Sequence, residues 1–151
     1  MLTLEDRPVK DAAELQHVLT RYIDSYHGYQ QAAAVVSSPS FAEAFLEIAD
    51  RRQLIVRHVS TLILNQGEKV DSESSPEATL HRWWMLARAL MTDDELKAVL
   101  AECVRGEKEL SRTIHDVLTH GNLDANHAAI ITDVATELEE AIRTFESVLN
   151  P

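Results

Sequence analysis

Glycine and proline are scarce in this 151-residue chain, at four each. It has no strand-like alternation and no Asn-Gly or Asp-Gly turn. Sheet folds depend on such punctuation, so its shortage points to helices. Cysteine occurs once, at Cys103. One thiol excludes an internal disulfide and fits a reducing compartment, so a cytoplasmic location is expected. No apolar run approaches the roughly 18 residues of a membrane-spanning helix, so no membrane association is expected. The stretch Met1–Asp11 is charged and carries Pro8, unlike a secretory leader. Basic residues are also few. Against 25 Asp and Glu there are 14 Lys and Arg, a net charge of −11. Phosphate contacts need a basic face, so nucleic acid is excluded as a partner. No P-loop, G-x-S-x-G, H-E-x-x-H or G-x-G-x-x-G motif occurs.

What is present is an ordinary globular balance, 45% apolar and 26% charged. The length suits one domain with a core of its own. Capping residues and periodicity mark four long helices and a shorter one. The first starts near Asp11, with Glu14 completing a capping box, and runs to Ser37–Ser38, where Pro39 stops it. Its seam is Leu15, Leu19, Tyr22, Tyr26, Tyr29, Ala33 and Val36, in alternating steps of four and three. Ser40 and Glu43 form a second capping box. The helix that follows carries Phe45, Ala49, Arg52, Val56, Val59 and Ile63 on one face and ends at Gly67. Residues 68–75 are a polar loop. Ser75, with Pro76 at the first helical position, opens a helix over 76–91 that holds Trp83 and Trp84. Thr92 and Glu95 cap the third long helix, which has Leu96, Leu100, Cys103, Glu107, Leu110, Ile114 and Val117 on its seam and Gly121 as its stop. One last helix begins at Asn122 or Asp124, with Ile131, Leu138 and Phe145 facing inward.

Short connections make the first two long helices antiparallel, and likewise the last two. The middle connection contains a helix of its own. Its rise of about 24 Å is enough to return along a bundle and leave the second and third long helices parallel. The expected architecture is an all-α, ferritin-like four-helix bundle whose long crossover contains a short fifth helix. It forms a single domain over 1–151, with a tail at 1–10.

Three stretches also carry a resemblance. Asp24-Ser25-Tyr26-His27-Gly28-Tyr29 reads as D-G-x-x-G-Y with Ser25 at the first glycine. Leu80-His81-Arg82-Trp83-Trp84 resembles L-H-R-x-W. Leu100-Ala101-Glu102-Cys103-Val104-Arg105-Gly106-Glu107 is close to L-A-E-C-E-R-G-E, with Val104 at a position usually Glu. Tyr26 stands where an acidic residue is common. Over residues 12–120 the chain resembles an uncharacterised bacterial family of ferritin-like four-helix bundles, catalogued as a domain of unknown function. The resemblance implies a fold and no established activity.

Ferritin-like di-metal proteins place a Glu on each of two helices and Glu-x-x-His on the other two. Here Glu14–His17, Asp24–His27 and Asp124–His127 match an acid-x-x-His pattern. Two lie near helix ends. The middle pair sits roughly 180° and 120° from the first seam, toward water. The last helix has no Glu-x-x-His, and Glu137, Glu139 and Glu140 fall on its flanks or outer face. The other histidines lack ligand spacing, and Cys103 reads as an inert seam residue.

Two charged residues sit on apolar seams, Arg52 and Glu107, each near the middle of its helix. A buried guanidinium needs a carboxylate, so they are expected to pair, with a hydroxyl from Tyr22 or Tyr26 nearby. In the competing arrangement Arg52 snorkels to the surface and Glu107 reaches water. The first functional reading is a non-catalytic, metal-free bundle with no cofactor. It would be interaction or stress-associated, binding a protein partner or forming a homo-oligomer. The alternative is an oxidoreductase or iron-binding protein with a di-iron or di-manganese centre, whose ligands would be Glu102, Glu107 and Asp50 with a histidine.

Overall fold

The computed structural model describes residues 10–76, 78 and 94–151. Helix α1 covers Ala12–Val35, α2 Pro39–Leu64, α3 Glu95–His120, α4 Ala125–Val134 and α5 Thr136–Leu149. No strand occurs among the described residues, and no helix among them is long and apolar enough to cross a membrane. Most of the expected crossover helix lies outside the described residues, including Trp83 and Trp84, as do 1–9 and the expected cap Thr92. Its start is described, and there the Ser75 hydroxyl accepts from the Ala78 amide at 3.1 Å.

Local chemistry moves several boundaries. Proline has no N–H to offer and suits the first helical position. The α2 cap therefore falls on Ser38, before Pro39, and not on Ser40. Ser38 Oγ accepts from the Phe41 amide at 3.3 Å. Gly67, at φ +77°, follows the end of α2 in the left-handed conformation that favours glycine. Asp94 caps α3, accepting from the Lys97 amide at 3.1 Å. The expected last helix is divided at Ala135. There the Thr136 hydroxyl donates to the Asp133 carbonyl, and the Leu138 amide takes the carbonyl of Ala135, three residues back. Side-chain and short-range bonds of this kind compete with the helical ladder. The two pieces, α4 and α5, together form the fourth rod.

Two groups of buried residues fix the topology. One joins Tyr29 and Ala32 of α1, Phe45 and Ala49 of α2, Val99 and Leu100 of α3, and Phe145 of α5. The other joins Leu15 and Leu19, Val59 and Ile63, Leu110 and Ile114, and Ile131 with Leu138. The late part of α1 thus meets the early part of α2, so these helices are antiparallel. The early parts of α2 and α3 meet, so these two are parallel, as a long crossover requires. The fourth rod runs antiparallel to α3. The fold is an all-α four-helix bundle.

Asp11 does not close the expected capping box, since its side chain makes no cap bond to α1. It is 1% exposed. It accepts from Gln66 Nε2 at 2.7 Å, the Asp124 amide at 2.9 Å and His127 Nδ1 at 2.7 Å. One carboxylate thereby ties the start of α1 to the end of α2 and the start of α4. Burial works to raise its pKa, but the Asp124 amide, His127 and Gln66 outweigh it and hold the carboxyl below its ordinary value. A lowered carboxyl stabilises the fold fully above the unfolded value of about 3.9 and loses that stabilisation as pH falls through the lower folded value. Asp11→Asn should cost about 1–3 kcal/mol in urea unfolding at pH 7. The gap between variant and parent should close as the pH is lowered below about 4.

Candidate functional site: a polar layer at mid-bundle

The two apolar groups are separated by one charged level. Arg52 lies between Ala49 and Val59 on the α2 seam, and Glu107 lies between Val104 and Leu110 on α3. Both are 1% exposed. Arg52 Nη1 and Nη2 donate to the two oxygens of Glu107, each at 2.9 Å. This bidentate fork is the strong geometry for arginine and carboxylate. Nη1 also donates to Ser25 Oγ on α1 at 3.1 Å, and Nε donates to Glu137 Oε1 on α5 at 3.0 Å. Every rod thus contributes one residue to the layer: Ser25, Arg52, Glu107 and Glu137. The second oxygen of Glu137 accepts from Arg51 Nε at 3.3 Å.

The electrostatics follow from burial. Desolvation opposes the charge on Arg52, yet the bound Glu107 carboxylate holds its pKa above the ordinary value. Burial pushes the Glu107 carboxyl upward, against the pull of the guanidinium. Two phenol rings complete the setting. The Arg52 guanidinium carbon lies 6.0 Å from the Tyr22 ring centre and 5.7 Å from that of Tyr29, within cation–π range. Burial raises both phenols, so both stay neutral. A cleft of about 340 Å³ between α1 and α3 has Ser25, Tyr29, Cys103, Gly106 and Glu107 on its wall. Burial likewise raises the Cys103 thiol, which keeps it unreactive.

The sequence expectations divide here. The structure brings Arg52 and Glu107 together, but Tyr22 meets them with its ring face and not with the expected hydroxyl, which has no hydrogen-bond partner among the described residues. Tyr26 does not join them. It is half-buried, its hydroxyl accepts from Gln30 Nε2 at 3.0 Å, and its ring packs on His27. Tyr29 takes that place because it lies seven residues from Tyr22, whereas Tyr26 is turned about 40° off that line. The acids of the alternative metal centre do not converge. Asp50 is exposed on the outer side of α2, and Glu102 accepts from Arg105 Nε at 2.9 Å. Among the described residues no group of three or more His, Cys, Asp or Glu side chains is placed to hold a metal ion.

Asp24 also departs from its expected place in water. It accepts from the Ser75 amide at 2.9 Å and from the Ser75 hydroxyl at 2.8 Å. The loop returns across that face of α1, which a helical wheel does not show. Sequence reasoning missed Ser25 and Glu137 as members of the layer. The signal for Ser25 was a hydroxyl at a glycine position of the first motif. Glu137 offered only a flank position, and its side chain remains 32% exposed.

Arg52→Ala should destabilise by about 3–5 kcal/mol in urea melts, because Glu107 is left charged and buried. Glu137→Ala should cost about 1–3 kcal/mol, because it leaves the buried Arg52 Nε–H without its acceptor. Arg52→Met combined with Glu107→Leu should cost far less than Arg52→Ala alone.

No curated protein and no solved structure matches the chain. Residues 10–120, which carry α1, α2, α3 and three of the four members of the layer, match the family described as Domain of unknown function (DUF2383), and the chain belongs to that family.

Proposed function

We propose that this is a non-catalytic, ferritin-like bundle protein that acts through its surface, as an interaction or stress-associated partner. In this reading the Arg52 guanidinium occupies the mid-bundle place that a ferritin-like protein gives to its metal ions. The observation that carries the reading is the layer itself, one residue from each rod converging between two apolar groups.

A di-metal carboxylate centre needs carboxylates from all four rods and two histidines to balance the cations and orient them. The residues at this level do not fit that demand. They supply two carboxylates, Glu107 and Glu137, and both already accept from Arg52. Ser25 has no charge to contribute. The positive charge that metals would bring is covalently built in, and it neither dissociates nor changes valence. With no chemistry assigned to the core, the surface is left as the working part.

Elemental analysis tests the reading on protein purified from cells supplied with iron and manganese. The expected result is metal well below one equivalent per chain, in the parent and in Glu107→Gln alike. Two tightly held ions per chain, lost in Glu107→Gln, would overturn it in favour of an iron-binding protein or an oxidoreductase.

A further inference from the structure

Helix α2 has a second distinctive side, opposite Arg52. Four large apolar side chains stand out among the described residues, Leu46 (49% exposed), Leu54 (61%), Leu64 (58%) and Val148 (45%). Three of them are on α2. Leu46 and Leu64 are five helical turns apart and point the same way, and Leu54 lies between them, about 80° round.

The same face carries Asp50 and Arg57, both exposed. They stand seven residues apart, beyond the three- and four-residue spacings at which helical side chains pair. Neither forms an ion pair among the described residues. Arg21, Arg51, Arg105, Lys108 and Arg112 each have a carboxylate within the chain. Lys69, Lys97 and Arg143 have none among the described residues either, but they lie off α2, where Arg57 is the one exposed cation beside the leucines with no ion pair among the described residues. An unpaired acid and an unpaired base therefore flank an exposed leucine, one on either side.

We propose that this face is a self-association surface, on which a second copy of the chain lays its own α2 antiparallel across a two-fold axis near Ile55. A two-fold contact must be self-complementary, and this pattern is. The axis sets Leu46 against the second copy's Leu64 at both ends and brings the two Leu54 side chains together near the centre. It also places Arg57 about 4.5 Å along the helix from the level of the second copy's Asp50, within an arginine's reach. A parallel pairing would set Asp50 on Asp50 and Arg57 on Arg57, which repel. Both copies are acidic overall, but that long-range repulsion is screened at physiological ionic strength. The contact uses the side of α2 away from the core, so it stands or falls separately from the reading of Arg52.

Sedimentation velocity on the full chain, from micromolar to submillimolar concentration in physiological salt, tests the proposal. The expected result is a concentration-dependent dimer. Leu54→Arg should abolish it, and Asp50→Arg should weaken it by at least about tenfold by setting like charges together. Combining Asp50→Arg with Arg57→Asp in one chain should recover it, because the charges are exchanged in register. All these positions are exposed, and unchanged circular dichroism melts verify that the variants fold. A monomer at every concentration overturns the proposal. So does a dimer that Leu54→Arg and Asp50→Arg leave unchanged, or a double exchange that fails to recover the dimer.

Discussion

A guanidinium cannot be left alone in a protein core, and this requirement organises the bundle. An unpaired buried charge costs several kcal/mol, so Arg52 is stable inside only where acceptors meet its N–H groups. The guanidinium is flat and its donors are fixed in direction. Glu107 must therefore lie in the plane of the fork, with Ser25 and Glu137 at its other edges. Those demands set the height and rotation of four rods at one level. The apolar groups on either side have no such demand, since cores tolerate repacking when volume is kept. The charged level specifies where the bundle locks, and the apolar groups supply most of the driving force.

Much of this was legible along the chain because a helix reports its inward face through spacing. Arg52 and Glu107 stood out as charges on apolar seams, and a place near the middle of each of two parallel helices of similar length put them at one height. The parallel arrangement of α2 and α3 followed from the length of the connection between them. Features that depend on the approach of another segment were not legible. Asp11 looked like a helix cap, yet its partners are Gln66, Asp124 and His127, brought together only by folding. Asp24 faced outward on a wheel, and the loop ending at Ser75 covers it. The division at Ala135 arises from local competition for carbonyls, which hydrophobic spacing does not record. Glu137 was invisible for a related reason, because a flank position says nothing of where a long side chain ends.

The chemistry available to the core follows from what an arginine is. Its side chain keeps one charge across the physiological range and has no second oxidation state. A metal pair at the same height would offer open coordination sites and electrons. A guanidinium whose donors are taken up by fixed acceptors offers permanence. The rings of Tyr22 and Tyr29 strengthen that character, since their faces favour a cation and burial keeps their hydroxyls protonated.

The fourth rod is held by two separate handles. Its α4 half is attached through the amide of Asp124 and the ring of His127, both on Asp11. Its α5 half is attached through Glu137 on the arginines of α2 and through Phe145 against Phe45. Between the handles lies the interruption at Ala135, where the ladder of helical bonds is already broken. The rod is thus seated twice, its first half on the start of α1 and its second half on α2, with the one-residue interruption letting each half meet its own partners.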